Sequence, residues 1–343
     1  MSLQVRSVRL GPVSFRARPR TWLVAVLAWG IALAGAIAVL FSGSVNMTPE
    51  QFWAALVGVG ERADMLLLWE FRMPRAVTGL VVGACLGTAG CLFQALSRNA
   101  LGSPEIIGLT GGAALGAVAS VIVFRSFGWG TAVGAIIGCL GAALLTWVLS
   151  PRGFGGGNRL ILIGLGVASL IQPVTVLLLT RADSDSATSA RLWLTGTLNA
   201  RNWSHAAVGA VLFAVILPFA LLISRHLDAA APGEDLAAGL GVSRRFTQWT
   251  ATGVGVALTA AAVAVAGPIS FIALAGPHVA RRLLKGPTAP AGVAAGTGAA
   301  LLVAADLVGA NLPGGLQLPV GVTAGLLGGA YLLLLLNGQE RKK

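Results

Sequence analysis

Charged residues are scarce in this chain of 343 residues. Only 10% of them are Asp, Glu, Lys or Arg, whereas 56% are hydrophobic. A soluble domain would carry about a quarter charged residues, so the composition excludes an ordinary soluble protein. Apolar runs of roughly 18–22 residues recur along the chain, and each is about long enough to cross a bilayer as a helix. The runs are continuous rather than alternating, which favours helices over a β-barrel. The sequence therefore predicts an all-α integral membrane protein.

Residues that form disulfides or bind metals are also few. The chain has three cysteines and no Cys-x-x-Cys pair. An odd count without such pairs argues against a disulfide framework and against a metal site. The three histidines are scattered, with no second ligand at metal spacing. We therefore expect the chain to bind no metal and no cofactor directly.

The sequence contains no motif by which the chain could power transport itself. It has no G-x-x-x-x-G-K-[ST] loop, so it cannot cradle nucleotide phosphates. Asp306 is the one acidic residue well inside an apolar run, whereas carriers driven by protons or sodium usually need such residues at mid-membrane. We therefore expect the energy for transport to come from a partner. The net charge of +12 fits the positive inner face of a membrane protein better than it fits nucleic-acid binding.

Ten spans can be drawn, at about 22–41, 74–95, 106–124, 129–149, 160–180, 205–224, 248–266, 268–283, 292–310 and 320–336. The eighth is short and contains Gly276-Pro277. An even count places both termini on one side, and all but seven of the 24 basic residues then fall on that side. The seven on the other side are Arg62, Arg72, Arg75, Arg125, Arg181, Arg191 and Arg201. The basic-rich side should be cytoplasmic.

We expect three regions along the chain. Residues 1–21 form a basic cytoplasmic tail, 22–336 form a single transmembrane domain, and 337–343 form a short cytoplasmic C-terminal tail. No small-residue cleavage site follows the first apolar run, so this run is expected to be a retained helix rather than a signal peptide. Glycine at every fourth position predicts close helix packing at Gly79/Gly83/Gly87, Gly134/Gly138 and Gly321/Gly325/Gly329. Thr48-Pro49-Glu50-Gln51 has capping-box spacing and predicts a short helix to about Gly60.

Two segments are candidates for contact with soluble partners. Arg72 and Arg75 flank a proline that favours a non-helical entry to the second span, and two exposed guanidinium groups there suit capture of carboxylates. Simple snorkelling of the two side chains is the alternative. The connection 225–247 contains a short predicted helix with an acidic first turn, which suits the helix dipole. An ordinary solvated connection is the alternative there.

Several blocks of the sequence resemble one transporter family. They are RMPRAVTGLVVGACLGTAGCLFQALSRNALGSPEIIGLTGGA, GEDLAAGLGV, AGPISFIALAGPHVARRL, AADLVGANL and QLPVGVTAGLLGGAYLLLLL. In this order they are similar to the FecCD family, the permeases of iron–siderophore, haem and cobalamin ABC importers. The resemblance covers essentially the whole chain beyond residue 20.

The resemblance implies a BtuC-like type II ABC importer permease fold of about ten helices. It implies a second FecCD-type permease subunit, with which we expect the chain to form a heterodimer. It also implies two cytoplasmic ABC ATPase subunits and an extracytoplasmic siderophore-binding protein. The chain would then be no enzyme, since the separate ATPase subunits hydrolyse ATP. The cargo would be a ferric siderophore, with catecholates of the enterobactin type favoured, and the location the inner membrane. Import of haem or cobalamin is the alternative, and an autonomous secondary transporter is a more remote one.

The resemblance also assigns roles to single residues. Arg72 and Arg75 match arginines that meet acidic residues of the binding protein, and Asn99 and Leu101 match a loop that forms a cytoplasmic gate. The coupling helix that contacts the ATPase is matched by Glu234, Leu236, Ala237, Leu240, Gly241 and Val242. Two positions depart from the family. Ala100 stands where proline is usual, and Ala310 stands where many members carry a further docking arginine, which we expect a paralogous partner to supply.

Overall fold

The computed structural model describes residues 6–10, 13–17, 19–43, 47–150, 158–231, 237, 239, 241–313 and 316–340. Two strands, β1 (Arg6–Leu10) and β2 (Val13–Ala17), form an antiparallel hairpin where the sequence predicted only a tail. Apart from this hairpin, the regular structure of the described residues is helical. The helices are α1 (Pro19–Phe41), α2 (Pro49–Val57), α3 (Arg62–Ser97), α4 (Leu109–Ile122), α5 (Trp129–Leu149), α6 (Asn158–Arg181), α7 (Ser184–Leu194), α8 (Trp203–Ala230), α9 (Arg244–Ala266), α10 (Ile272–Leu284), α11 (Ala291–Ala310) and α12 (Val320–Glu340).

Each of the ten predicted spans corresponds to a helix, although not all of these helices have membrane length. Within the described residues, seven are long and apolar enough to cross a membrane: α1, α3, α5, α6, α8, α9 and α11. The apolar helix α4 and the apolar part of α12, Val320–Leu334, are shorter. Helix α10 has only 13 residues, or about 20 Å, which is less than the roughly 30 Å of a bilayer core. The eighth predicted span is therefore a short helix, and residues 268–271 lie before it in an irregular connection.

The predicted short helix α2 has the cap that its sequence specifies. The Thr48 side chain accepts a hydrogen bond from the N–H of Gln51, and the Gln51 side chain accepts one from the N–H of Thr48. Pro49 occupies the first turn, where its missing N–H costs nothing. The helix ends at Gly58, whose φ of 80° is a left-handed conformation that glycine adopts without strain.

Glycines bring the central helix α3 into contact with its neighbours. A Cβ atom on Gly87 would lie 2.2 Å from the carbonyl oxygen of Ala294, and one on Gly83 would lie 2.7 Å from the Cα of Ala299. Both contacts are with α11, so the predicted glycine stripe of α3 is confirmed at these positions. Gly90, one turn further along, meets the carbonyl oxygen of Ala273 on α10.

The other two glycine stripes have different outcomes. Gly134 and Gly138 of α5 lie directly against the backbone of α4, where a Cβ on Gly138 would come within 2.1 Å of the carbonyl oxygen of Gly112. In α12, however, Gly325 and Gly329 have nothing within 4 Å of an added Cβ. The predicted packing stripe of α12 is therefore confirmed at Gly321, where an added Cβ would lie 2.1 Å from the carbonyl oxygen of Thr195, and is wrong at Gly325 and Gly329. Gly328 makes the contact instead, against the side chain of Phe271.

The connections between helices lie at two opposite ends of the bundle. At one end, the Arg20 side chain at the start of α1 donates hydrogen bonds to the carbonyl oxygen of Leu283, at the end of α10. We call this the basic end. At the opposite end, called the far end, the Asn311 side chain after α11 donates a hydrogen bond to the hydroxyl of Ser42, which follows α1. This separation agrees with the two sides drawn from the distribution of basic residues.

Candidate functional sites at the two ends of the bundle

At the far end, Arg75 of α3 forms an ion pair with Asp306 of α11. Its Nε lies 2.9 Å from Oδ2 of Asp306, and its Nη2 lies 2.8 Å from Oδ1. The Asp306 side chain is 4% exposed and the Arg75 side chain 19%. Two parallel hydrogen bonds between a guanidinium and a carboxylate form a strong and directional pair. The pair therefore ties α3 to α11 at this end of the bundle.

Arg72 is buried, with 5% of its surface exposed. Its Nη1 donates a hydrogen bond to the carbonyl oxygen of Leu40, near the end of α1. The expectation that both guanidinium groups are exposed is therefore wrong for this conformation, because Arg72 is buried against α1 and Arg75 is paired within the chain. A docking role for these two residues stays a prediction, and it requires the far end to rearrange when a partner arrives.

The predicted non-helical entry at Pro74 is also wrong. Helix α3 continues through this residue, and Leu67–Arg72 just before it form a π-helical segment. Proline in an α-helix loses one hydrogen bond and crowds the preceding turn, and a wider π-turn relieves that crowding. The Trp203 indole N–H donates a hydrogen bond of 2.7 Å to the carbonyl oxygen of Trp69 inside the segment. The aromatic side chain of α8 thus satisfies a carbonyl group of the π-turn.

At the basic end, the connection after α3 begins with a tight turn, Arg98–Leu101. We call it the gate-loop tip after the role predicted for Asn99 and Leu101. The N–H of Leu101 donates a hydrogen bond of 2.9 Å to Oδ1 of Asn99, and the N–H of Gly102 donates one of 3.0 Å to the carbonyl oxygen of Asn99. Asparagine forms such turns through its own side chain. The turn is therefore closed without the proline that the family usually has in place of Ala100. Leu101 is half exposed at the tip.

The rest of the connection, residues 102–108, is held by two other helices and by the residue that precedes α10. The Thr146 hydroxyl of α5 donates a hydrogen bond of 3.2 Å to the carbonyl oxygen of Ile107. Gly164 of α6 lies so close that an added Cβ would be 2.5 Å from the Cα of Ile107. The third contact is a hydrogen bond of 2.7 Å from the N–H of Phe271 to Oε1 of Glu105. The tip of the loop is thus exposed, whereas its base is held in the bundle.

Sequence reasoning gave Glu105 no role, although it lies within the first of the sequence blocks that resemble the family. Its carboxylate faces the first turn of α10, where the helix dipole favours negative charge. Burial raises the pKa of Glu105 to about 7, and the hydrogen bond from Phe271 opposes part of that rise. Phe271 itself has a φ of 67°, which is uncommon for a bulky residue. The sequence signal that could have singled out Glu105 is its position as a lone acidic residue directly after Pro104, between two apolar runs.

The raised pKa of Glu105 predicts a pH dependence of stability. A carboxyl group with a higher pKa in the folded state stabilises the fold at low pH, and this contribution disappears as pH rises through about 7. Between about pH 5 and pH 8 the wild type should therefore lose stability relative to Glu105→Gln, which does not titrate. Thermal unfolding of both proteins across this range measures the effect. Glu61→Gln, an exposed position at the start of α3, is the matched control, and parallel pH curves for wild type and Glu105→Gln would contradict the prediction.

The predicted coupling helix lies partly outside the described residues. Glu234, Leu236 and Leu240 fall in that part, whereas Ala237, Gly241 and Val242 are described. The N–H of Val242 donates a hydrogen bond of 3.0 Å to the carbonyl oxygen of Ala237, and Gly241 has a φ of 75°. This is the geometry of a helix end closed by a left-handed glycine. Ser243 then caps the next helix, α9, by accepting a hydrogen bond from the N–H of Phe246.

A cavity of about 790 Å³ at the basic end brings two of the predicted sites together. It lies between the end of α3, the end of α8, the start of α9 and the end of α10. Asn99 of the gate-loop tip and Ala237 and Val242 of the predicted coupling helix line the same cavity. Arg72 and Arg75 lie at the opposite end. Among the residues that the structure describes, no cluster of three His, Cys, Asp or Glu side chains could hold a metal ion.

Comparison with known proteins gives concordant matches. Residues 30–337 match the family model described as the FecCD transport family. The chain is 40% identical to the ferric enterobactin transport system permease protein FepG of Escherichia coli K12, over 89% of this chain and 92% of that protein. It is 34% identical to the probable siderophore transport system permease protein YfhA of Bacillus subtilis 168, over 93% and 96%.

A solved structure has the same fold. It is an inward-facing conformation of a metal-chelate type ABC transporter, with a TM-score of 0.81 and 25% identity, and the match covers 92% of this chain and 99% of that one. The helical architecture and the family match cover the same length of sequence and agree with the resemblance seen in its motifs. The chain therefore belongs to the FecCD transport family, whose members are integral membrane permeases of ABC importers rather than enzymes.

Proposed function

We propose that the chain is the permease subunit of an ATP-driven importer of ferric siderophores and forms half of the translocation pathway. The cargo we favour is a catecholate chelate of the enterobactin type. The observation that carries this proposal is the 40% identity with the ferric enterobactin permease of Escherichia coli, which extends over nearly the full length of both proteins. No bond is made or broken by the chain itself. Its part is to open and close a path by movement of helices.

The proposed assembly contains a second FecCD-type permease subunit, two cytoplasmic ABC ATPase subunits and an extracytoplasmic binding protein. We place it in the inner membrane with both chain termini in the cytoplasm. The distribution of basic residues supports this orientation, because all but seven of 24 belong to the side that carries the termini. The contact between Arg20 and Leu283 also supports it, since the start of α1 and the Arg281-Arg282 pair then share one face of the membrane.

The cavity at the basic end suggests how ATP hydrolysis reaches the gate. Ala237 and Val242 of the proposed coupling helix line one part of its wall, and Asn99 of the gate-loop tip lines another. An ATPase that displaces the coupling helix therefore changes the space beside the gate-loop tip. The base of the loop stays fixed by Thr146, Gly164 and Phe271, so the movement is confined to the exposed tip.

Transport by the complete importer in proteoliposomes tests the proposal. Ferric catecholate, ferric hydroxamate, ferric citrate and haem are offered in turn, with ATP enclosed on the ATPase side. We expect uptake of the catecholate that requires both ATP and the binding protein. Uptake of haem in preference to every siderophore would replace the cargo assignment. Uptake driven by an ion gradient without ATP would replace the proposed class of transporter.

Replacing Leu240 by aspartate should uncouple ATP hydrolysis from uptake. A charge on the apolar face of the proposed coupling helix disfavours its burial in a groove of the ATPase. We expect uptake to fall about tenfold or more while the full chain still reaches the membrane. Uptake and ATP hydrolysis are measured on the same proteoliposomes. Leu283→Asp is the matched control, because Leu283 is an exposed leucine at the basic end outside the 225–247 connection. Equal uptake by the two variants would show that the coupling helix has been assigned to the wrong segment.

A further inference from the structure

The connection between α7 and α8, residues 195–202, is packed into the far end of the bundle. The N–H of Thr197 donates a hydrogen bond of 2.9 Å to the carbonyl oxygen of Ala266, at the end of α9. Leu198 is 1% exposed, and a Cβ added to Gly79 of α3 would lie 3.2 Å from its side chain. A membrane protein tolerates such non-helical backbone where it is buried in protein or lines a water-filled path.

Arg201 brings a partly desolvated positive charge into this connection. Its Nε donates a hydrogen bond of 3.2 Å to the carbonyl oxygen of Thr197, which fixes the guanidinium group. Burial lowers the pKa of Arg201, and no carboxylate of the described residues forms an ion pair with it. Nη1 and Nη2 have no hydrogen-bond partner among those residues, yet both atoms remain accessible. The fixed side chain therefore presents two unused donor groups.

The other arginines that the sequence placed at the far end have different surroundings. Arg72 is buried against α1, and Arg75 is paired with Asp306. The remaining four are exposed, so that water surrounds their charges: Arg62, Arg125, Arg181 and Arg191. Arg201 differs from both groups, because it is half-buried and its charge is balanced neither by water nor by a described carboxylate.

The position of Arg201 favours a small anion over a protein surface as its partner. A desolvated charge without a counter-charge is destabilising, so it calls for a ligand of opposite sign. The planar guanidinium fork matches paired anionic oxygens. A docked protein meets the exposed arginines of this end first, whereas a small ligand can reach a half-buried group. Both oxygens of a catecholate are anionic when it binds iron, so three catecholates around one Fe³⁺ form an anion.

We propose that Arg201 binds the anionic ferric chelate at the extracytoplasmic mouth of the pathway and favours cargo with net negative charge. The inference rests on the proposed function, because its ligand is the proposed cargo. Nη1 and Nη2 donate hydrogen bonds to the chelate oxygens, and the bond from Nε to Thr197 holds the fork in place. The permease then contributes to the choice of cargo in addition to the binding protein.

The test changes the charge of the cargo without changing its surface. The complete importer in proteoliposomes is offered one catecholate siderophore loaded with either Fe³⁺ or Ge⁴⁺, and the germanium complex carries one negative charge fewer. Arg201→Gln should lower uptake of the iron complex about tenfold, since hydrogen bonds to a charged group are lost. Uptake of the germanium complex should fall less, because Coulomb energy scales with the charge of the ligand. The ratio of iron to germanium uptake should therefore fall about twofold or more.

Three further variants separate charge from structure. Arg201→Lys keeps the positive charge but not the fork, so it should keep most of the wild-type ratio. Arg191→Gln is the matched control, because Arg191 is an exposed arginine of α7 at the same end and should leave both uptake rates unchanged. If Arg201→Gln fails to fold, Arg201→Met takes its place, since its apolar side chain suits the half-buried position. Docking of the binding protein and the unfolding temperature are measured on every variant.

Each other outcome rejects a defined part of the proposal. An equal loss of uptake for both complexes would show that Arg201 only holds its own turn through Thr197. Weaker docking of the binding protein with an unchanged uptake ratio would assign Arg201 to a carboxylate of that protein and overturn the chelate assignment. Unchanged uptake of both complexes by Arg201→Gln rejects the inference alone. A wild type that imports neither complex overturns the proposed catecholate cargo and the inference together.

Discussion

Replacing Arg75 by alanine is expected to lower the free energy of unfolding by about 3 kcal/mol or more. The substitution leaves the carboxylate of Asp306 buried in the bundle without its two hydrogen bonds of 2.8 and 2.9 Å. Removing one partner of a buried ion pair costs about 3–5 kcal/mol, because the remaining charge is uncompensated. Arg75→Lys keeps the charge but loses the fork, so it should lie between the wild type and Arg75→Ala. Equilibrium unfolding in mixed micelles measures all three proteins.

The chain supplies a matched control for this experiment. Arg125 and Asp183 also form an arginine–aspartate pair, but their atoms are 3.9 Å apart and both side chains are exposed. Exposed pairs contribute little to stability, so Arg125→Ala should change the unfolding transition hardly at all. The exchange Arg75→Asp with Asp306→Arg should recover part of the stability that Arg75→Ala loses. Equal effects of Arg75→Ala and Arg125→Ala would show that the Arg75 pair is not a structural contact.

The same exchange separates two roles of Arg75. It keeps an ion pair between α3 and α11 but moves the guanidinium group from one helix to the other. If Arg75 serves only as a tie between helices, a binding protein should dock on the exchanged variant with unchanged affinity at low salt. If the group is also released to a partner carboxylate, docking should weaken although the fold is retained. Docking is measured with the purified binding protein, on protein whose fold has been checked by its unfolding transition.

Local features of this fold were predictable because each depends on a short stretch of sequence. The apolar runs gave the positions of the helices, and the spacing of Thr48 and Gln51 gave the cap of α2. The glycine spacing of α3 and α5 predicted their close approaches, since small residues at every fourth position lie on one helical face. In α12 the same spacing failed at Gly325 and Gly329, because small residues on one helical face allow close packing but do not show that another part of the chain lies there.

The contacts that define the two ends of the bundle join residues far apart in the sequence. Asp306 is 231 residues from Arg75, and Phe271 is 166 residues from Glu105. Each pair depends on the relative height of two packed helices, which hydropathy does not encode. The shortness of α10 has the same origin. Its apolar run is continuous with residues 268–271, and the left-handed turn at Phe271, held by Glu105, is what begins the helix late.

Replacing Gly90 by leucine should have a comparably large effect, through the position of α10. A Cβ atom at this position would lie 1.7 Å from the carbonyl oxygen of Ala273, which is backbone and cannot turn aside. Helix α10 would have to move away from α3 by more than 1 Å, which breaks the hydrogen bond of 3.1 Å from Gln94 to the carbonyl oxygen of Leu274. Overpacking of this kind costs about 1–3 kcal/mol or more. We expect little folded protein by size-exclusion chromatography and a lowered unfolding temperature.

Gly141 provides the matched control, because it is a helical glycine of α5 with nothing within 4 Å of an added Cβ. Gly141→Ala should be neutral or slightly stabilising, since alanine is the better helix former by about 1 kcal/mol. Gly90→Ala should already destabilise the protein, because the first carbon atom makes the clash. A Gly90→Ala protein that is as stable as Gly141→Ala would mean that α10 is free to shift against α3. The hydrogen bonds that join α10 to Gln94 and Glu105 would then not hold the base of the gate loop in place. The proposal that movement is confined to the tip of the loop would have to be rejected.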